Sequence, residues 1–204
     1  MMETINNQIR ERALSLNRGR IFFTDEFADL ESPVSVRTML MKLVKEGSVV
    51  RLARGVYCRP KLEGEYGIKM VLPSPETIAE TVAAREKVRI IPYGDIAARE
   101  LGLSGMVVSD LKYLTDGADR RICLSKGRKI YFNHTDEVKV FGYRNETMRK
   151  VAFAVRFLGE DAIDAEKRRT IHGHLRTVPE EDFKRDILIP PAWVGKIITD
   201  IWNN

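Results

Sequence analysis

The chain contains no uncharged apolar run close to the roughly 18 to 20 residues that a membrane-spanning helix needs. Its first twenty residues are polar and charged and lack the short apolar core of a signal peptide. A cytoplasmic protein that spans no membrane is therefore expected. Cysteine is scarce: Cys58 and Cys123 lie far apart, without the close spacing of zinc sites or redox motifs, so reduced thiols are expected. With 14 Gly and 8 Pro in 204 residues, the composition is neither collagen-like nor that of a disordered chain. No internal repeat appears. Gly102 and Ser104-Gly105 do not have the spacing of a phosphate-binding glycine loop. His172-Gly173-His174 brings two imidazoles together without indicating a third metal ligand. No catalytic triad can be assembled, and no enzyme activity, metal or cofactor is expected. The weak exception is Asp110-Leu111-Lys112, with Asp95 as partner acid, whose spacing is that of a metal-dependent nuclease strand.

What the chain does have is 44% hydrophobic and 31% charged residues, enough to bury a core in one or two compact units. Lys and Arg number 34 against 29 Asp and Glu, a net charge of +5. That excess is concentrated. Residues 33–61 hold Arg37, Lys42, Lys45, Arg51, Arg54, Arg59 and Lys61 against Glu46 alone, a local charge of +6. A second run, Arg120, Arg121, Lys126, Arg128 and Lys129, has no acid between residues 120 and 130. Basic runs are often only solvated faces, and an acidic partner is the alternative.

The periodicity predicts a helix over 4–16 on Ile5, Ile9, Ala13 and Leu16, then a short strand at 21–23. Thr24 is placed to cap a short helix carrying Asp25 and Glu26 in its first turn. Ser32 as cap, Pro33 at the first helical position and Gly47 as stop bracket the next helix, with Val36, Met39, Leu40, Leu43 and Val44 facing the core. Segments 49–52 and 56–59 around Gly55 predict a hairpin. The Gly and Pro positions of 61–75, including Gly64 and Gly67, predict a linker. Beyond it, helices are expected over 75–86 and, capped by Asp95, to Leu101. Strands are expected at 89–92, within 107–115, in a hairpin at 121–124 and 129–132, and at 138–143. Four helices follow, over 148–158, 165–175, 179–187 and 191–202. Trp193, Ile197 and Ile201 share a face of the last, as core or as a partner contact.

The expected architecture is α+β: a winged helix-turn-helix over residues 1–62, then a larger mixed α/β domain over 73–204 with a helical C-terminal region. A duplex major groove admits one helix, whose exposed side reads base edges while Lys and Arg neutralise phosphates. In helix 33–45, Ser35 and Thr38 are placed for base edges, with Lys42 and Lys45 along the same face and Arg37 at its margin. Arg51, Arg54 and Arg59 of the hairpin are placed to grip the backbone, Arg54 at the tip reaching a minor groove. Arg120, Arg121, Lys126, Arg128 and Lys129 are placed to give a second, sequence-independent contact. A protein-interaction unit with ordinary surface lysines is the alternative.

The run Val36-Arg37-Thr38-Met39-Leu40-Met41-Lys42-Leu43-Val44-Lys45-Glu46-Gly47, closed by Arg51-Leu52-Ala53-Arg54-Gly55-Val56-Tyr57, resembles the N-terminal domain of the AbiEi-type antitoxins of type IV toxin-antitoxin systems. Ser74-Pro75-Glu76-Thr77-Ile78-Ala79, Ile90-Ile91-Pro92-Tyr93-Gly94-Asp95-Ile96-Ala97-Ala98, Leu101-Gly102-Leu103-Ser104 and Tyr113-Leu114-Thr115-Asp116-Gly117 are similar to a bacterial branch of that group. The resemblance covers most of the chain. It implies a transcriptional repressor that binds double-stranded DNA at its own promoter and opposes a nucleotidyltransferase-like toxin encoded beside it.

Overall fold

The computed structural model describes residues 2–64, 69–106 and 109–204, with the backbone alone for 2–6. Gly67 and Val107 lie outside the described residues, as does the side chain of Ile5. The fold is α+β, and by packing it divides into two units: Met1–Glu86 with Ile122–Ile130, and Lys87–Arg121 with Tyr131–Asn204.

The first unit begins with α1 (Met2–Ser15), β1 (Ile21–Phe23) and a single 3₁₀ turn at Thr24–Phe27. It continues with α2 (Pro33–Lys45), β2 (Val50–Ala53) and β3 (Val56–Cys58). The second expected helix is thus a 3₁₀ turn: four residues cannot complete an α-helical ladder. Phe23 rather than Thr24 precedes it, its N–H donating to Glu26 Oε1 at 2.8 Å. The start of α2 follows its local signals, with Ser32 Oγ accepting from Ser35 N at 3.3 Å and Pro33 at N1. Val36, Met39, Leu40 and Leu43 bury their stripe against Ile9, Ala13, Phe22, Phe27, Val49 and Tyr57. Each such side chain contributes about 1.5 to 3 kcal/mol. The strands form an antiparallel sheet in the order β1-β3-β2, with Phe22 opposite Tyr57 and Arg51 opposite Tyr57 from the other side.

Residues 61–75, expected as a linker, instead contain the hairpin of β4 (Lys61–Glu63) and β5 (Lys69–Val71). The first unit also extends past the expected boundary at 62–73 to take in α3 (Pro75–Glu86). The physical reason is long-range: Arg85 of α3 pairs with Asp25 and lies 4.4 Å over the Phe23 ring. Gly and Pro punctuation marks turns, and turns occur inside compact units as readily as between them.

The second unit opens with β6 (Ile90–Pro92), α4 (Gly94–Glu100) and β7 (Leu111–Thr115). Along the chain β8 (Arg120–Cys123) and β9 (Lys129–His134) follow, of which residues 122–130 are counted with the first unit, and the four-stranded sheet has the order β6-β7-β9-β8. Residues 138–143, expected as a strand, form a 3₁₀ turn at Val138–Gly142. Asp95 lies inside α4 rather than capping it, and its carboxylate accepts from the neighbouring Ile96 N at 2.8 Å. The four C-terminal helices are α5 (Glu146–Leu158), α6 (Ala165–Leu175), α7 (Glu180–Asp186) and α8 (Ala192–Trp202). Met148, Val151, Phe153, Ile171, Leu175, Phe183, Val194, Ile197 and Ile201 of these helices share one core. Trp202 stacks on Phe183 with centroids 4.1 Å apart, whereas Trp193 remains 39% exposed.

Two close constraints position α5. At Gly94 any Cβ would meet the Phe153 carbonyl and the Phe157 side chain, so glycine is what lets α4 lie directly on α5. The fully buried Asp186 carboxylate accepts from Arg144 N at 3.1 Å, Asn145 N at 2.8 Å and Arg185 Nε at 2.8 Å. It thereby fixes the residue whose own side chain caps α5 through Met148 N at 3.1 Å. Removing this acceptor by Asp186→Ala strands three donors, and urea denaturation should show a loss of about 3 kcal/mol or more.

The two thiols differ in the same physical way. Burial pushes the Cys58 thiol up to about 11, while Cys123 is exposed. Because the folded chain retains the Cys58 proton more tightly than an unfolded one, this group's contribution to stability declines as pH rises from the ordinary thiol range toward 11. Iodoacetamide at pH 8 should modify Cys123 alone in the native protein, and both thiols in urea. Rapid native labelling at Cys58 would contradict its burial.

Candidate nucleic-acid interface

Burying one stripe of α2 leaves Arg37, Thr38, Lys42 and Lys45 exposed on the other side of the helix. The β2–β3 hairpin adds Arg51 from the strand and Arg54 from the turn, where Gly55 adopts φ +76°. Arg37, Arg51 and Arg54 converge on a cleft of about 340 Å³ whose remaining lining is Thr24, Gly55 and Tyr57. Among the described residues, no carboxylate lines it.

The other arginines of this unit show how unusual that is. Arg10 pairs with Glu46 at 2.8 Å, Arg12 with both oxygens of Asp29 at 2.6 and 2.8 Å, and Arg20 with Glu26 at 2.8 Å. The Arg12 guanidinium holds the Asp29 carboxyl below its usual range, chiefly through that hydrogen bond. Among the described residues, Arg37, Lys42, Lys45, Arg51 and Arg54 form no such ion pair. Uncompensated like charges around a concave surface focus a positive potential, which attracts anions.

The remaining candidates divide. The half-buried Ser35 hydroxyl lies 3.0 Å from Ser32 Oγ. The Thr38 hydroxyl donates to Val34 O at 2.9 Å, leaving its lone pairs outward. Arg59 stands apart, its guanidinium donating to the Leu16 carbonyl at the end of α1. The second basic set lies elsewhere. The tip of the β8–β9 hairpin bonds to the edge strand, Ser125 N donating to Leu52 O at 2.9 Å. Lys126 and Arg128 line a separate groove with Leu52, Ile78 and the β4–β5 hairpin, whereas Arg51 lines the arginine cleft. Lys126 and Arg128 thus border a depression separate from the one that Arg37, Arg51 and Arg54 line. Arg120 and Arg121 fall in the second unit, and Arg120, Arg128 and Lys129 each have a partner of their own.

Sequence reasoning missed Thr24 and Tyr57 as cleft residues. The available signal was Gly55: without a Cβ there, the chain lets Thr24 N donate to Gly55 O at 3.2 Å, bringing Thr24 to the arginines. As for other chemistry, no three His, Cys, Asp or Glu side chains among the described residues cluster as a metal site. His174 Nε2 is 3.1 Å from Leu101 O.

Residues 8–183 match DUF6088, a family of unknown function. The chain belongs to that family. The match includes α2, the β2–β3 hairpin and both basic sets, and leaves α8 outside. No curated protein and no solved structure matches the chain. Among the described residues, no helix is long and apolar enough to cross a membrane.

The geometry separates a structural arginine from a surface one. Arg59→Ala leaves the Leu16 carbonyl without its donor, and urea denaturation should register a loss of about 1 to 3 kcal/mol. Arg54→Ala, which breaks no ion pair, should fall within about 0.5 kcal/mol of the parent. Equal losses would contradict the distinction.

Proposed function

We propose that the first unit of this DUF6088 protein is a winged helix-turn-helix that binds duplex DNA sequence-specifically and regulates transcription, without catalysing a reaction. The observation that carries the proposal is the arginine cleft beside α2: Arg37, Arg51 and Arg54 without a carboxylate, in a unit where Arg10, Arg12 and Arg20 are matched to acids. A 13-residue helix is about 20 Å long and its exposed side carries Thr38, Lys42 and Lys45. Laid in a major groove, it offers Thr38 to base edges and the lysines to phosphates. The cleft then takes a phosphate of the adjoining backbone, with Arg54 at the hairpin tip. The resemblance to AbiEi-type antitoxins supplies the biological setting: a cytoplasmic repressor of its own promoter, linked to a nucleotidyltransferase-like toxin.

Fluorescence anisotropy with the chain's own upstream region and a scrambled duplex, across a salt series, tests this reading. The upstream duplex should bind more tightly. Replacing Arg37, Arg51 and Arg54 together with Ala should reduce the slope of log K against log salt by about 2 to 3, since each phosphate contact contributes roughly 0.9. Thr38→Ala should narrow the gap between the two duplexes. Lys126→Ala, Arg128→Ala and Lys129→Ala together should leave the slope unchanged, because Lys126 and Arg128 line a groove separate from the arginine cleft. Equal affinity for both duplexes removes the specific-regulator reading. Magnesium-dependent cleavage lost on Asp110→Ala would replace it with a nuclease.

A further inference from the structure

The second unit holds a cleft of about 480 Å³ for which the DNA reading has no use. Two aromatic rings flank it: Tyr93, 37% exposed, at the start of α4, and Phe157, 41% exposed, on α5. Large apolar side chains exposed singly are ordinary, but two bordering one cavity form a binding surface. Phe153 and Leu114 supply further apolar lining. The close approach of α4 to α5 at Gly94, beside Phe157, brings the two flanking rings to one opening.

The charges on this cleft are unequal. Arg156 NH1 donates to Glu137 Oε2 at 2.8 Å, and Glu137 is also 3.6 Å from Lys139 Nζ, so its carboxylate is already matched by two cations. The Nε and second terminal nitrogen of Arg156 have no partner among the described residues. His134 lines the same cleft. Its Nδ1 lies 2.7 Å from Gly117 O and its Nε2 3.1 Å from Asp136 Oδ1. Both neighbours are acceptors, so the imidazolium satisfies both, and these contacts, the Gly117 carbonyl foremost, raise the group above its ordinary value. Planar apolar walls, a guanidinium with an unused donating edge and no unmatched carboxylate together select for an aromatic anion.

We infer that this cleft binds a small planar aromatic molecule bearing one anionic group, its ring between Tyr93 and Phe157 and its anion on the unused edge of the Arg156 guanidinium. The anion is a carboxylate or a phosphate, chemistries that the same guanidinium edge accepts. The site does not depend on the DNA reading, since every residue in it belongs to the second unit.

The test is titration of the full chain, followed by amide chemical shifts, with indole-3-acetate and adenosine monophosphate, and with indole and adenosine as neutral counterparts. At least one anionic probe should shift the amides of Gly94, Leu114 and Thr135. Which one does so decides between carboxylate and phosphate. Its neutral counterpart should bind about tenfold more weakly, the scale of one charge-assisted contact. Arg156→Gln should erase that difference, while Phe157→Ala should weaken anion and neutral alike. Because the mapping uses the unaltered chain, it stands even if a variant unfolds. Absence of shifts with both anionic probes at millimolar concentration overturns the proposal, as does equal binding of the neutral compounds. Shifts confined to Arg51 and Arg54 would assign the anion to the arginine cleft and also overturn it.

Discussion

Everything proposed for the first unit depends on how α2 is buried. Val36, Met39, Leu40 and Leu43 pack into one core with Phe22 and Tyr57 of the sheet and Ile9 and Ala13 of α1. A helix held by a stripe that wide cannot turn about its axis without exposing apolar surface, at about 25 cal/mol for each Å². The outward direction of Arg37, Thr38, Lys42 and Lys45 is therefore a consequence of the core. The same core holds Tyr57, whose cross-strand partner is Arg51, so the packing that orients the helix also delivers the hairpin arginine beside it. The candidate interface and the core are two sides of one arrangement.

Charge alone does not make the interface. Residues 33–61 concentrate bases, yet basic residues throughout the unit are neutralised locally: Arg10 across to Glu46, Arg12 to Asp29, Arg20 to Glu26 and Arg85 to Asp25. These exposed pairs contribute little to stability. Their effect on the field is larger, because they cancel positive charge elsewhere in the unit and leave it concentrated at the cleft of Arg37, Arg51 and Arg54. Arg59 shows the same economy from the opposite side. It is as basic as Arg54, but its guanidinium ties β3 to the end of α1 through the Leu16 carbonyl.

In the second unit, the comparable constraints act on α5. Asp186 fixes its beginning through the N–H groups of Arg144 and Asn145, and Gly94 fixes the distance of its later turns from α4. A buried carboxylate with three donors and a glycine with no room for a Cβ leave little tolerance for displacement. Phe153, Arg156 and Phe157 lie on that helix, so the aromatic cleft inherits its shape from two contacts that take no part in binding.

The periodic and punctuated segments were legible in the sequence by itself. Ser32, Pro33 and Gly47 bound α2, its apolar stripe identified its buried face, and Gly55 and Gly127 each lie in the turn of an expected hairpin, because these signals act within a few residues. The α+β class followed from them. Tertiary structure decided the rest. Gly and Pro in 61–75 mark turns, but long-range contacts such as that of Arg85 with Asp25 and Phe23 join α3 to the first unit. Residues 138–143 have the composition of a strand and form a 3₁₀ turn, since pairing depends on a neighbouring edge as well as propensity. Six bases of the first patch, Arg37, Lys42, Lys45, Arg51, Arg54 and Arg59, were candidates together with Ser35 and Thr38 on α2; their roles diverged only when distant partners were in place. Arg54 reached a cleft, Arg59 a carbonyl, and Lys126 and Arg128 a separate groove. The aromatic cleft had no sequence signature, because Tyr93, His134, Glu137 and Arg156 come from separated segments that share no spacing. Local rules determine where elements begin, end and hide their apolar sides; which polar side chains meet is set by contacts between residues far apart along the chain.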